Sequence, residues 1–331
     1  MRVLVTGCAG FIGFHICKRL IHDDIEVVGV DNLNDYYDVE LKKKRLELLE
    51  SDKFTLYKTN VSSMISMDMV FKRHQFDSVI HLAAQAGVGY SLENPAAYID
   101  SNIVGFFNVI ECCRNYNVKK LLFASSSSVY GNYDGLMKTD CDTDKPISLY
   151  AATKKCDELI AYTYSQLYGI RTCALRFFSV YGEYGRPDMA YWRFTENIMR
   201  NEPITLNNNG NIYRDFTYID DVVEGVYRIL AFIPKTDKKE LFVVYNIGAG
   251  SPINIKTFAE ELHKQMVKSK LIDKDNELKF DYAPMKQGDA LMTCADTSEL
   301  WKDYRYKPNT LIYNGLKFFV NWYKLYIIKK V

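Results

Sequence analysis

A tyrosine and a lysine four residues apart are the side chains best suited to acid–base chemistry. Tyr150 and Lys154 stand in the segment S-L-Y-A-A-T-K-K, and residues at this spacing share one face of a helix. The lysine ammonium stabilises the phenolate form, so Tyr150 can act as a general base for a substrate hydroxyl. The spacing alone occurs by chance in any helix. Its place after a serine-rich strand end at Ser126, and after the glycine turn of residues 7–13 described next, favours a catalytic set.

The glycines near the N-terminus predict the dinucleotide. An apolar strand, the turn Gly7-Cys-Ala-Gly10-Phe-Ile-Gly13 and a helix precede a second strand that ends at Asp31. Gly7 permits the tight turn, Gly10 lets the backbone approach a pyrophosphate, and Gly13 lets the helix pack closely on the sheet. The helix N-terminus directs free N–H groups at the phosphates. Asp31 can accept from both ribose hydroxyls and would repel a 2′-phosphate, which favours NAD over NADP.

The elements that position these residues alternate between strand and helix. This pattern predicts an α/β fold with a doubly wound parallel sheet, the Rossmann type, up to about residue 180. Long helices are predicted over 98–116 and 150–168, and a charged helix over 41–50. Its basic run, Lys42–Arg45, offers cations to cofactor phosphates, but most of it is expected to be a solvated face. His81 lies within an apolar strand, where a buried core histidine is the ordinary case.

Beyond residue 180 the predicted elements are shorter. They are typical of a smaller C-terminal substrate lobe that returns a strand and a helix to the sheet. We therefore expect an NAD-binding domain at 1–180, with contributions from about 213–250, and a substrate lobe at 181–331. The apolar tail 316–331 is broken by lysines and predicts an amphipathic packing helix.

Composition limits the possible partners. The 331 residues carry 42 Lys and Arg against 41 Asp and Glu, a formal net charge of +1, which gives no reason to expect nucleic acid or an anionic membrane. No apolar run approaches the roughly 20 residues of a membrane span. The first strand begins at Arg2, so we expect no signal peptide and a cytoplasmic location. Eight cysteines without CxxC or CxxH spacing are expected to be core residues, with no metal site.

Motifs along nearly the whole chain resemble those of the UDP-glucuronate 4-epimerase family, in the extended short-chain dehydrogenase/reductase superfamily. They are GxxGFIG, DNLNDYYD, HLAAQAGV, SLENP, SSSSVYG, SLYAATKK, RFFSVYG, GRPDMA, RDFTYIDD and FVNWY. The resemblance implies an NAD-dependent isomerase that acts on UDP-glucuronate and UDP-galacturonate. Hydride leaves C4 for NAD while Tyr150 takes the hydroxyl proton, the 4-keto sugar turns over, and hydride returns to the opposite face.

The resemblance also implies roles for individual residues. The catalytic set is Ser126, Tyr150 and Lys154. Cofactor-binding positions are Gly7, Gly10, Phe11, Ile12, Gly13, Asp31, Asn32, Asn60, Val61, Leu82, Ala83, Ala84, Tyr150, Lys154 and Phe177, with Phe178 alongside. Substrate-binding positions are Ser127, Ser128, Ser179 and Arg186 at the sugar and its carboxylate, and Arg214 and Lys286 at the diphosphate. A guanidinium fork suits a carboxylate.

Two positions depart from the family pattern. Gly89 stands where many relatives carry an arginine, so a cation that would hold the substrate is absent there. Asn60 replaces a common aspartate facing the adenine and still leaves a side-chain acceptor.

Four other functions compete with this one. Dehydratases and decarboxylases of the same fold carry an acid after the catalytic hydroxyl, whereas Ser127 and Ser128 offer only hydroxyls here, which argues against both. A 4-epimerase of neutral UDP-hexoses remains open, because hydroxyls do not demand a carboxylate. A catalytically idle dinucleotide sensor is disfavoured by the intact Tyr150 and Lys154. The superfamily resemblance further implies a homodimer that pairs the helices 98–116 and 150–168.

Overall fold

Short apolar runs rich in valine, isoleucine and leucine form the strands, because such side chains pack well on a pleated surface. The computed structural model describes residues 1–232 and 240–328. Its strands are β1 (Arg2–Thr6), β2 (Glu26–Asp31), β3 (Phe54–Lys58), β4 (Ser78–His81), β5 (Lys120–Ser126), β6 (Arg171–Phe177), β7 (Ser179–Tyr181), β8 (Ile204–Asn207), β9 (Tyr213–Tyr218), β10 (Phe242–Ile247), β11 (Pro252–Asn254) and β12 (Phe280–Ala283).

Helices connect the strands. They are α1 (Phe11–His22), α2 (Val39–Glu47), α3 (Met64–Arg73), α4 (Tyr90–Glu93), α5 (Pro95–Tyr98), α6 (Gly105–Asn115), α7 (Leu149–Tyr168), α8 (Ala190–Met199), α9 (Ile219–Ala231), α10 (Ile255–Lys268), α11 (Ser298–Tyr304) and α12 (Ile312–Ile328). A π-helical segment, Ile99–Val104, joins α5 to α6, and a 3₁₀ turn, Ser127–Tyr130, follows β5. None of the helices within the described ranges is long and apolar enough to cross a bilayer.

Seven strands form one sheet, all paired in parallel, in the order β10-β6-β5-β4-β1-β2-β3. Alternate residues point to opposite faces. On β1, Val3 and Val5 join the apolar core on one face, while Leu4 joins the core on the other. Helices cover both faces, as a parallel sheet requires. The predicted doubly wound α/β fold is confirmed.

The strand order reverses between β1 and β4, because β2 and β3 extend the sheet one way and β5, β6 and β10 the other. Ligands of open α/β sheets bind in the crevice at such a reversal, beyond the carboxyl ends of the strands. Two small sheets lie outside the main one, β11-β9-β7 and β12-β8.

The structure differs from the predicted elements in several places. The predicted helix 98–116 is divided among α5, the π-helical segment and α6. The charged helix begins two residues earlier and ends three earlier, because Asp38 caps its N-terminus by accepting from the Glu40 N–H. The short strands β7, β11 and β12 were not predicted.

The division of the chain stays a proposal. Strand β10, although far along the sequence, pairs with β6 in the main sheet. Residues 233–239 and 329–331 of the expected substrate lobe, including the end of the predicted tail helix, lie outside the described residues.

Candidate active site

A cavity of about 680 Å³ opens at the reversal point of the sheet. The residues that line it include every predicted cofactor position, every predicted catalytic position, and all predicted substrate positions except Arg214. The cavity therefore brings together side chains from the ends of several strands and from the start of α7.

The glycine turn leaves no room for side chains. Gly7 has a left-handed backbone with φ of +72°, and a Cβ built on it would lie 2.8 Å from the Ala83 nitrogen. A Cβ on Gly13 would lie 2.1 Å from the Gly7 oxygen, so α1 reaches this close approach only with glycine there. Helix α1 has no side-chain cap at its N-terminus. Its first N–H groups are thus available to an anion.

Asp31 is held firmly at the end of β2. Its Oδ2 accepts from the Ala9 N–H at 3.0 Å, and its Oδ1 accepts from the Leu33 N–H at 2.9 Å. The carboxylate is 8% exposed and faces the cavity. A bare glycine cradle beside an uncapped helix start, with a fixed acid at the next strand end, fits the diphosphate and adenosine ribose of a dinucleotide.

The end of β4 lines the cavity next to the glycine turn. The Thr6 hydroxyl accepts from the N–H groups of Leu82 and Ala83, each at 3.2 Å, and bonds to His81 Nδ1 at 2.8 Å. Burial, followed by the nearby Lys154 charge, lowers the pKa of His81 to about 3. His81 is therefore a neutral, buried residue that supports this part of the lining.

Ser126, Tyr150 and Lys154 come from two elements. Ser126 ends β5 and caps the 3₁₀ turn by accepting from the Ser128 N–H at 3.1 Å. Ser148 caps α7 by accepting from the Ala151 N–H, which places Tyr150 in the first helical turn. Tyr150 is half-buried, and Lys154 is 1% exposed. A phenol open to the cavity with a buried ammonium one helical turn below suits proton transfer.

The predicted sugar positions carry hydroxyls and one paired cation. Ser127, Ser128 and Ser179 line the cavity. Arg186 also lines it, and its Nε and Nη2 donate to the two oxygens of Asp188 at 2.9 and 2.7 Å. Burial acts to raise the pKa of Asp188, but Arg186 outweighs it and holds that pKa below its ordinary value. The Arg186 charge is thus already matched by an acid.

The two predicted diphosphate residues are placed differently. Lys286 is exposed at the cavity. Arg214 is not among the residues that line the cavity. Its guanidinium donates a hydrogen bond to Asp289, which does line the cavity. The link between Arg214 and the cavity is therefore its hydrogen bond to Asp289.

Sequence reasoning left open which residues of the basic run on α2 turn inward. Lys43 and Lys44 are exposed and pair with Glu40 and Glu47, as a solvated face should. Lys42 is buried, lines the cavity, and donates to the Asn34 backbone and side-chain oxygens. The signal was helical spacing, because Lys42 lies beside the buried Leu41 on the inward face of α2.

Arg45 lies on the same inward face, fully buried. Its guanidinium makes five hydrogen bonds to oxygens: one to Ala9 in the glycine turn, one to the Tyr37 hydroxyl, two to Tyr184 and one to Gly185. One side chain therefore joins the glycine turn to the loop that leads into Arg186. Tyr36, Asp188 and Gln287 are further lining residues that the sequence did not indicate.

Comparison with known proteins identifies the family. The model of the NAD dependent epimerase/dehydratase family matches residues 3–248, about three quarters of the chain. The chain belongs to this family. The predicted family and the predicted cofactor, NAD, are confirmed.

Individual relatives place the chain in a narrower group within the epimerase/dehydratase family. A probable UDP-glucuronate 4-epimerase of Rhizobium meliloti is 40% identical over 98% of this chain and 97% of its own. The crystal structure of UDP-glucuronic acid 4-epimerase from Bacillus cereus, with UDP-glucuronic acid and NAD, is 29% identical, with a TM-score of 0.88 over 98% of this chain and 100% of that one. UDP-glucose 4-epimerase of Thermotoga maritima, with UDP-glucose, is 28% identical, with a TM-score of 0.84 over 99% and 100%. The chain is an NAD-dependent enzyme of the UDP-sugar 4-epimerase group.

Proposed function

We propose that this enzyme interconverts UDP-glucuronate and UDP-galacturonate by inverting C4. The observation that carries the proposal is the serine turn at the end of β5, where Ser126, Ser127 and Ser128 present hydroxyls to the same cavity as Tyr150 and Lys154. Hydroxyls and turn N–H groups can hold a uronate carboxylate. The relatives named above that act on UDP-glucuronate support the same substrate.

The residues divide the work as follows. Bound NAD supplies the acceptor and donor of hydride at C4. Tyr150 takes the proton of the C4 hydroxyl and later returns it, and Lys154 stabilises the phenolate in between. Ser126 shares the proton network of the same hydroxyl. The 4-keto sugar must turn over between the two transfers, so the sugar pocket has to hold both faces of the ring.

The acids of the cavity do not favour a lyase. Those that line it within the described residues are Asp31, Asp188 and Asp289, and each is engaged, by backbone N–H groups, by Arg186 and by Arg214 respectively. Elimination across C5 and C6 needs a carboxyl group ready to move a proton next to the sugar. The serine turn offers none, which supports return of hydride to the ketone over dehydration.

A neutral UDP-hexose is the second candidate substrate, and two observations favour it. Asp188 neutralises Arg186, so no net cation is free at that position. Gly89 also adds no charge, and a Cβ built on it would meet nothing within 4 Å. A UDP-glucose or UDP-N-acetylglucosamine would need neither cation.

One experiment separates these substrates. The purified enzyme is given UDP-glucuronate, UDP-glucose and UDP-N-acetylglucosamine separately, with products resolved by chromatography and carbon dioxide measured. UDP-galacturonate without gas is the expected result. A UDP-pentose with gas would make the enzyme a decarboxylase, and conversion of neutral sugars alone would replace the uronate with a hexose.

A homodimer and a cytoplasmic location belong to the same proposal. Apolar side chains on the helices predicted to pair are exposed in the single chain, namely Ile99, Val104, Phe107, Leu159 and Tyr162. A second copy would cover them. Light scattering of the purified enzyme tests this, and a monomer at assay concentration would contradict it.

A further inference from the structure

A second buried acid lies directly behind the catalytic lysine. Asp157 follows Lys154 by three residues on α7, and Lys154 Nζ donates to Asp157 Oδ2 at 3.1 Å. Their side chains are 0% and 1% exposed. The other carboxylate oxygen, Oδ1, is buried and has no hydrogen-bond partner among the residues that the structure describes. The proton transfer derived above makes no use of this carboxylate.

A buried carboxylate with one unpaired oxygen lowers the stability of the folded protein, which indicates that it serves a function. Removing two charges from water costs more than a single ion pair recovers unless further hydrogen bonds satisfy them. Within the described residues, the Asp157 side chain accepts no hydrogen bond besides the one from Lys154 itself. Burial raises its pKa to about 7, against the opposing pull of Lys154. The carboxylate thus gains and loses its charge near neutral pH.

The other charged and titratable groups around this pair are already engaged or neutral. Glu158, next on α7, accepts from Arg176 of β6 through both oxygens at 2.9 Å. It also accepts from the Ser125 hydroxyl of β5. His81 of β4 is neutral because burial lowers its pKa. Of the described residues, Asp157 is the one acid within hydrogen-bonding distance of Lys154.

Two more titratable side chains lie beside Tyr150 and Asp157. Tyr98, before the π-helical segment, lies edge-on to Tyr150 with ring centroids 6.1 Å apart, and burial raises its pKa, so it stays protonated. Burial also raises the pKa of Cys156, the residue before Asp157. Both remain neutral near pH 7. Among the groups packed around the pair, the charges that remain are therefore those of Lys154 and Asp157.

We propose that Asp157 is a positioning residue that anchors the Lys154 ammonium and offsets part of its charge, and so sets the pH at which Tyr150 becomes a phenolate. This rests on the proposed roles of Tyr150 and Lys154. A charged Asp157 opposes the phenolate by neutralising the ammonium beside it. A neutral side chain at this position leaves the ammonium unopposed, so the phenolate forms at lower pH.

The test compares Asp157→Asn with a matched control, Glu158→Gln. Each variant removes one charge from a buried carboxylate in an ion pair on α7, but only Asp157 contacts Lys154. The full chain is saturated with NAD and titrated between pH 5 and 9. The readout is the ultraviolet absorbance of tyrosinate that a Tyr150→Phe background abolishes, which requires no turnover. The acid limb of kcat is measured alongside.

Asp157→Asn is expected to move the midpoint of the Tyr150 signal to lower pH by about 1 unit, the size of one nearby charge. The acid limb of kcat should follow, with KM for the sugar nucleotide unchanged. Glu158→Gln should lower thermal stability without moving the midpoint. A midpoint that stays in place or rises in Asp157→Asn overturns the proposal.

The failure of this proposal and of the proposed function can be distinguished. If the midpoint falls as expected but no UDP-sugar is epimerised, Asp157 keeps its role and the substrate assignment is wrong. If UDP-glucuronate is epimerised while the midpoint does not move, the function stands and Asp157 is only structural.

Discussion

The ion pair between Arg186 and Asp188 leads to a prediction about which UDP-sugar the enzyme prefers. If Arg186 grips the uronate carboxylate, Arg186→Gln removes a charge-assisted fork, a contact worth about 1.5–3 kcal/mol. At 1.4 kcal/mol per factor of ten, kcat/KM for UDP-glucuronate should fall roughly 10- to 100-fold. Turnover of UDP-glucose, which has no carboxylate, should change by no more than about 3-fold, because the contacts that both substrates share are unchanged.

Substitution of Asp188 completes the set of variants. Asp188 holds both nitrogens of the fork, at 2.9 and 2.7 Å, so the substrate carboxylate must compete with it for the guanidinium. Asp188→Asn removes the competing charge and should lower KM for UDP-glucuronate. The double variant Arg186→Gln/Asp188→Asn has the same net charge as the native pair but no fork. It should remain as impaired toward UDP-glucuronate as Arg186→Gln alone.

Steady-state kinetics on both substrates with all four proteins completes the double-mutant cycle. Recovery of native kcat/KM in the double variant would show that net charge, and not the fork, governs uronate binding. An equal loss on UDP-glucose and UDP-glucuronate would show that Arg186 supports the loop and recognises no carboxylate. Either result would refute the assignment of Arg186.

Three further predictions concern the base, the glycine turn and acid stability. Tyr150→Phe should reduce kcat about 10²- to 10⁴-fold while NAD binding, followed by fluorescence, is retained; full turnover would remove Tyr150 as the base. Gly13→Ala should lower the free energy of unfolding by about 1–3 kcal/mol or more, since its Cβ would lie 2.1 Å from the Gly7 oxygen. Gly89→Ala, which meets no atom within 4 Å, is the matched control, and equal urea midpoints would contradict the packing argument. His81, with its pKa lowered from 6.5 to about 3, is neutral when folded, so stability is lost as pH falls below 6.5. The loss from this residue should be about 2 kcal/mol at pH 5; urea unfolding at pH 7 and 5 measures it, and a His81→Gln variant that is equally acid-sensitive would exclude this cause.

The sequence predicts best where a residue type has one physical use. The glycine turn and Asp31 were predicted because tight turns, close backbone approach and a ribose-facing acid each demand a particular side chain. The parallel sheet followed from apolar runs alternating with helical periods. The family motifs extended these local signals to side chains from distant segments, such as Ser126 and Tyr150.

Residues whose role depends on tertiary pairing were not predictable in the same way. The engagement of Arg186 by Asp188 arises from the backbone path of a loop, and that of Arg214 by Asp289 joins segments 75 residues apart. Lys42 belongs to a basic run whose composition suggests a solvated face, yet its position on α2 turns it inward. The π-helical segment, Ile99–Val104, lies within one predicted helix, and helical periodicity does not distinguish it from the α-helices on either side.

The buried Arg45 guanidinium links the proposed cofactor site to the proposed sugar site. Three of its five hydrogen bonds hold Tyr184 and Gly185, and another holds Ala9, so neither segment can drift without releasing donors inside the protein. An enzyme that regenerates its oxidant in every cycle has no reason to let that oxidant go. Under the proposed function, the loop that leads into Arg186 should therefore stay in place beside the glycine turn while one sugar nucleotide leaves and the next binds.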